Sequence, residues 1–150
     1  MYPALPPWLA FTAGKIWHVK PYSGDDGWSG RQPHTAFASL AAAKDAATAN
    51  RNDIVLMYSE ENAGTLTSDL QATMLDWDKN GVHLIGVNSG VSISPRSRIS
   101  AISTWTSADP VMKVSASNCY IANVQIIMDA VDTAPLGALW VTGSRNRFDS

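Results

Sequence analysis

Two carboxyl groups about 5 to 9 Å apart across a glycosidic bond are what polysaccharide hydrolysis requires. β-Elimination from a uronate requires a base, with a cation or an arginine to hold the acid. In Leu75-Asp76-Trp77-Asp78-Lys79-Asn80-Gly81 the residues Asp76 and Asp78 would share one face of an extended strand, with Trp77 on the other. They are the candidate catalytic acids. Asp78-Lys79-Asn80-Gly81 is also a turn sequence, and a solvated turn is the plainer reading of it.

Other acids are placed less favourably. Glu60 and Glu61 are adjacent, so on a strand they point to opposite faces, and one of them is expected to cap or pair with a neighbouring turn. Asp129 and Asp132 stand in a loop-like context with no His or Arg set beside them by spacing. Asp25-Asp26-Gly27 offers the oxygen ligands that Ca2+ prefers, but departs from the acidic loop of helix-pair calcium proteins. No cofactor is expected, and calcium is the one alternative. His18, His34 and His83 are far apart with no cysteine near, which argues against zinc and leaves the metal-ligand set empty. The chain has no phosphate-binding loop, dinucleotide fingerprint or nucleophile elbow.

Six tryptophans are many for 150 residues. Trp28, Trp77 and Trp105 lie in polar surroundings, where a ring can stack on a sugar or a partner chain, or fold over its own loop. Trp28 and Trp105 are the carbohydrate-binding candidates. Cys119 has no internal disulfide partner, and its apolar neighbours Tyr120 and Ile121 predict a buried thiol.

With 45% hydrophobic and 16% charged residues, the chain has the means to bury a core of ordinary domain size. Its 11 basic and 13 acidic residues are scattered, with a net charge of −2, which gives no footprint for nucleic acid or an anionic membrane. No window reaches the roughly 18 apolar residues that span a bilayer. The start, Met1-Tyr2-Pro3-Ala4-Leu5-Pro6-Pro7-Trp8-Leu9-Ala10-Phe11, has prolines where a signal peptide needs a continuous apolar helix and no basic residue before Lys15. The expectation is a soluble chain without a signal peptide, made in a cytoplasm.

The elements that would position these residues fall into three stretches. Residues 1–14 form an extended Pro/Trp-rich arm, in which Tyr2, Pro6, Pro7, Trp8 and Phe11 are the partner-binding candidates. Residues 15–52 hold a short strand (Lys15 to Lys20), a Gly/Asp loop and a helix over 35–48 with Thr35 as its N-cap. Ala36, Leu40, Ala43 and Ala47 make one apolar stripe on that helix, and Asn50 and Asn52 suit the left-handed conformation of its exit. Residues 53–150 are short β-rich bursts between Gly, Asn, Ser and Pro.

The bursts recur. Ile54-Val55-Leu56-Met57, Val82-His83-Leu84-Ile85, Val111-Met112-Lys113-Val114 and Ala138-Leu139-Trp140-Val141 start 28, 29 and 27 residues apart. Polar turns follow three of them at Gly86 to Gly90, Ser115 to Asn118 and Thr142 to Asn146, and then second bursts at Val91 to Ile93 and Tyr120 to Ile126. Strands this short make a stable sheet by stacking each on its copy in the next coil, about 4.8 Å away, with inward Val, Ile and Leu in continuous columns. The fold predicted is an all-β solenoid, a right-handed parallel β-helix of three to four rungs. The helix over 35–48 would cap its first rung and cover a strand edge that would otherwise recruit other chains.

The residues His18-Val19, Ser23-Gly24-Asp25-Asp26-Gly27, Thr35-Ala36-Phe37-Ala38-Ser39-Leu40 and Asn52-Asp53-Ile54-Val55-Leu56 resemble the opening of pectate-lyase-like β-helix proteins. That resemblance covers roughly residues 15 to 150 and is specific for fold. It implies one of two settings: secreted polysaccharide lyases and hydrolases, or bacteriophage tailspikes, fibres and head-decorating proteins. The missing signal peptide and the Pro/Trp-rich arm favour the phage branch, hence a virion structural protein assembled in the host cytoplasm. The partners so implied are other virion proteins, further copies of the chain in a trimer, and cell-surface polysaccharide; nucleic acid and membrane are not among them. A polysaccharide-degrading enzyme and a carbohydrate-binding module are the alternatives. The last copy stops within a burst at Arg147-Phe148-Asp149-Ser150, which implies that the rungs continue or that a partner covers the last one.

Overall fold

A computed structural model describes residues 14–62, 65–87, 97–105, 108–128 and 137–149, with the side chains of residues 65 and 66 left aside. Its strands are β1 (Ile16–Val19), β2 (Ile54–Tyr58), β3 (Glu61–Asn62), β4 (Thr65–Leu66), β5 (Ser68–Gln71), β6 (Leu75–Trp77), β7 (His83–Val87), β8 (Ser97–Ala101), β9 (Met112–Val114), β10 (Tyr120–Ala122), β11 (Val124–Ile127), β12 (Leu139–Val141) and β13 (Arg147–Asp149). One helix, α1 (Leu40–Ala46), lies between β1 and β2.

The strands stack as three parallel sheets, β1-β2-β7-β10-β13, β5-β8-β11 and β6-β9-β12, with the hairpin β3-β4 set apart. The chain visits the first, second and third sheet in turn and then returns to the first, one strand further along. This is the expected parallel β-helix with a single N-terminal helix. Its core is a set of columns, in which equivalent inward residues of successive turns meet. Trp17, Val55, Leu84, Ile121 and Phe148 form one in the first sheet. Leu75-Met112-Leu139 and Trp77-Val114-Val141 form two in the third. Pleating sends the alternate residues Ile54, Leu56, Ile85, Tyr120 and Ala122 to the opposite face of the first sheet, where they form a second buried apolar cluster.

The repeat is less regular than the sequence spacing implied. Ile54 pairs with His83, 29 residues on; Leu84 pairs with Ile121, 37 residues on; Tyr120 pairs with Arg147, 27 residues on. The bursts at Ile54 and Val82 run into the first sheet, whereas those at Val111 and Ala138 run into the third. Their near-constant spacing arises because a longer excursion between β8 and β9 offsets a change of sheet. For the same reason the turn after Ile85 is not equivalent to those after Val114 and Val141: β7 continues to Val87 before leaving the first sheet. The burst Tyr120 to Ile126 is two strands, broken at Asn123, whose φ of 56° turns the chain from the first sheet into the second. Val91 to Ile93 lies outside the described residues.

The helix is also shorter than predicted. Pro33–Thr35 is a 3-10 turn, and Ala36 and Phe37 are extended because Phe37 bridges to Val19 in parallel fashion, donating to the His18 carbonyl and accepting from Lys20 N. Ser39, not Thr35, is the N-cap; its Oγ accepts from Ala42 N at 3.1 Å. The predicted stripe is nonetheless buried at Ala36, Leu40, Ala43 and Ala47. In the first turn, α1 stands where second- and third-sheet strands would be, over β5 at its start and over the end of β6 at its finish.

Ahead of each first-sheet strand from β2 on, the corner carries a residue with positive φ, and the first of these corners carries a second, Asn50, at 60°. Asn52, Gly81, Asn118 and Arg145 have φ of 57°, 64°, 59° and 56°, and they occupy the same corner in four successive turns. Main-chain bonds follow that corner down the solenoid, from Gly81 N to the Ser117 carbonyl and from Asn118 N to the Ser144 carbonyl. Glycine and asparagine are the residue types that reach this conformation most readily. Arg145 holds it without that help.

Candidate functional site

Three carboxylates, two of them buried and that of Asp26 exposed, organise the N-terminal end. Asp53 enters β2 one residue before Ile54 and is fully buried. Its Oδ1 accepts from Lys15 N at 2.8 Å, and its Oδ2 accepts from Trp17 Nε1 at 3.1 Å and from Thr48 N at 2.9 Å. Burial opposes its charge, but these donors and Arg51 outweigh that, so its carboxyl lies below the ordinary range. One side chain thus ties β1, the exit of α1 and β2 together.

Asp26, from the loop after β1, accepts Ala38 N and Ser39 N at 2.8 Å each on Oδ1 and Ser39 Oγ at 2.8 Å on Oδ2. Asp69, on β5, points inward, accepting from Leu40 N at 3.1 Å and from Gln71 Nε2 at 2.7 Å. Burial, reinforced by the charge of Asp26, pushes its carboxyl up to about 6. At the other end of α1, Lys79 Nζ donates to the carbonyls of Asp45 and Ala47 at 2.8 and 2.7 Å, and Lys44 pairs with Asp78 at 3.2 Å. Acids at the start and cations at the finish are the arrangement the helix dipole favours.

The catalytic candidates Asp76 and Asp78 have different partners. Asp76 faces outward from β6, accepts Ser115 Oγ at 2.6 Å and lies 3.9 Å from Lys113 Nζ on β9. Asp78 has left the strand and pairs with the cap helix. The turn reading of Asp78-Lys79-Asn80-Gly81 gains a role for each member: Asp78 and Lys79 hold α1, Asn80 Oδ1 accepts Ser117 N at 2.7 Å, and Gly81 makes the left-handed corner. Glu60 does cap a turn, accepting Tyr22 N, Ser23 N and Ser23 Oγ.

Trp28 is 45% exposed in its loop. Trp105, at 2%, is part of the core and offers no face to a sugar, and Trp77 is equally enclosed, with Nε1 donating to the Val82 carbonyl. Apolar packing captured both rings: Trp77 is an inward position of β6, and Trp105, in the loop after β8, folds into the same core. Tyr2, Pro6, Pro7, Trp8, Phe11, Asp129 and Asp132 lie outside the described residues. Cys119 is buried, and burial raises its thiol above the ordinary range.

Burial disfavours the charged form of the two inner histidines. His18 Nδ1 is 2.9 Å from Tyr58 Oη; burial lowers its pKa, as do Arg31 and Lys20. His83 accepts Tyr120 N on Nδ1 at 3.0 Å, and burial lowers it as well. Among the described residues no group of three His, Cys, Asp or Glu side chains is placed to share a metal. Of the two acids in the calcium candidate Asp25-Asp26-Gly27, Asp26 is bonded to three donors and Asp25 Oδ1 accepts Gly27 N at 2.8 Å. No helix among the described residues is long and apolar enough to cross a membrane. An apolar cavity of about 260 Å³ opens between the last turns, lined by Met112, Ile121, Ile126, Leu139 and Phe148. Asp149, its charged neighbour, is engaged by Tyr120 Oη and Arg147.

Sequence reasoning missed Asp26, Asp53 and Asp69 as structural acids. Asp53 had a signal, since an acid set just before a β-rich burst can serve the strand before it. Asp69 had none: in Ser68-Asp69-Leu70-Gln71, alternation puts Leu70 inside, yet Leu70 is 64% exposed and Asp69 4%. Comparison of the chain with protein-family models, curated proteins and solved structures gave no match.

Proposed function

We propose that this chain is a structural module of a bacteriophage particle, a parallel β-solenoid of the tailspike, fibre or capsid-decoration kind, held to its neighbours through residues 1–14. The observation that supports this best is where the polar side chains go. Asp76 meets Ser115 and Lys113 one turn on, Asn80 meets Ser117, Asn146 Oδ1 accepts Cys119 N, and Asp78 meets Lys44 of the cap. These groups bond along the axis from turn to turn instead of converging on a groove, which suits a rod that transmits force or spaces other parts. The phage setting itself rests on the resemblance over roughly residues 15 to 150 together with the Pro/Trp-rich arm of residues 1–14. In the same reading, the partners are other virion proteins and further copies of the chain.

The test is deletion of residues 2–11 in the full chain, followed by measurement of its incorporation into particles. Loss of incorporation with the solenoid still folded is the expected result; unchanged incorporation overturns the proposal. A sugar-binding module is the second reading, favoured by the exposed ring of Trp28. There, Trp28→Ala abolishes binding on a glycan array, whereas a wild-type chain that binds no glycan removes that reading.

A further inference from the structure

In the second sheet, the inward column below Asp69 is Ile99 and then Ile126. An alkyl group would pack at the top of it, yet the position holds an acid bonded to the first turn of α1. Asp69 and Asp26 between them bind three consecutive amides, those of Ala38, Ser39 and Leu40. The two carboxylates therefore approach the same helix start from opposite elements, the loop after β1 and the strand β5.

We propose that this double-acid grip is a proton-linked clasp: proton uptake at Asp69 tightens the docking of α1 on the first full turn, and proton release loosens it. Burial sets the sign. Ionised, Asp69 keeps a charge at the enclosed head of the apolar column of Ile99 and Ile126, with the exposed carboxylate of Asp26 adding a lesser repulsion; protonated, it keeps an acceptor for Leu40 N without that charge. A carboxyl that titrates near 6 when docked, against 3.8 when exposed, holds its proton more tightly in the docked state. Docking is accordingly firmest below the exposed value, and the advantage is lost as the pH rises through about 6.

The surroundings contain few competing charges. From α1 the main-chain N–H of Leu40 faces Asp69, while Lys44 turns to Asp45 and Asp78. From β8 it meets Ile99, with Arg98 on the other face bonded to Gln125. From β5 it meets Gln71, and from the loop after β1 the charge of Asp26. His18 and His83, both lowered, make the whole chain less stable in acid, so the readout has to be local to the cap.

Hydrogen exchange in the full chain provides it. Protection of the α1 amides is measured against that of the β9 amides at about pH 5 and about pH 8, each corrected for intrinsic rate, in wild type and Asp69→Asn. The expected result is a wild-type ratio that falls on the order of 10-fold between the two conditions, since at about pH 5 the exposed carboxyl is already largely ionised, and a nearly flat ratio in Asp69→Asn. A flat or rising wild-type ratio, or an Asp69→Asn profile like that of wild type, overturns the proposal. Should the variant not fold, carbon-detected titration of Asp69 in the wild-type chain decides: a midpoint well above 3.8 supports the clasp, and one at or below it overturns it.

Discussion

The carboxylate of Asp53 accepts the indole N–H of Trp17 at 3.1 Å across 36 residues of sequence, joining the first strand of the solenoid to the second through a buried bond. The same carboxylate takes Lys15 N and Thr48 N. Asp53→Ala leaves three donors without their acceptor, and such buried groups cost about 1 to 3 kcal/mol apiece. The expected loss is at least about 3 kcal/mol, read from urea denaturation; a loss under about 1 kcal/mol would show that this carboxylate is not the tie described. Because its pKa is lowered on folding, the contribution of Asp53 is present above its exposed value and fades as the pH falls through the folded one.

The left-handed corner makes opposite predictions at two of its steps. A Cβ at Gly81 would meet nothing closer than 3.6 Å, so Gly81→Ala costs only the backbone conformation, about 1 kcal/mol. Arg145→Gly relieves the same conformation and is expected to raise stability by about 0.5 kcal/mol. Thermal melts of the two variants should move in opposite directions.

His83 should titrate below 6.5 with its proton on Nε2 in the neutral form, because Nδ1 accepts from Tyr120 N. Its folded pKa lies below the exposed value, so its stabilising effect is present above 6.5 and is lost as the pH falls toward the folded pKa. Nitrogen NMR of the ring reports both the tautomer and the midpoint. A proton on Nδ1 at neutral pH contradicts the arrangement.

Trp28 and Trp105 should separate by stability alone. Trp105→Ala removes a core ring and is expected to cost about 3 to 5 kcal/mol, whereas Trp28→Ala, at an exposed position, should stay within about 0.5 kcal/mol of wild type. Equal effects in denaturant would mean that the two rings share one environment.

Fold class was legible because β-rich bursts between corner residues, preceded by one amphipathic alanine-rich helix, have few other solutions. Which burst belongs to which sheet was not. Hydrophobicity marks inward positions without saying which corner they follow, and the long excursion after β8 shifted the phase by nearly the amount that a change of sheet restored. Asn123 could be seen as a turn former, but nothing local required it to split a continuous apolar run. Thr35 and Ser39 are both good caps; tertiary bonds from β1 to Phe37 and from Asp26 to Ser39 decided between them. The acids failed differently. Asp76 and Asp78 attracted attention by their spacing, while Asp69, which alternation would place outside, is held inside by an amide of a helix 29 residues earlier.

The recurrence of a left-handed residue at the same corner of successive turns has an evolutionary consequence. Asn118 and Arg145 mark equivalent points on successive turns, so a segment running from one to just before the next is a unit that can be copied or removed without altering the phase of the later turns. Duplication of residues 118–144 would lengthen the rod by a single strand spacing, about 4.8 Å, and leave the cap untouched. Length can thus be adjusted in whole turns by recombination within the gene, independently of whatever is attached at either end.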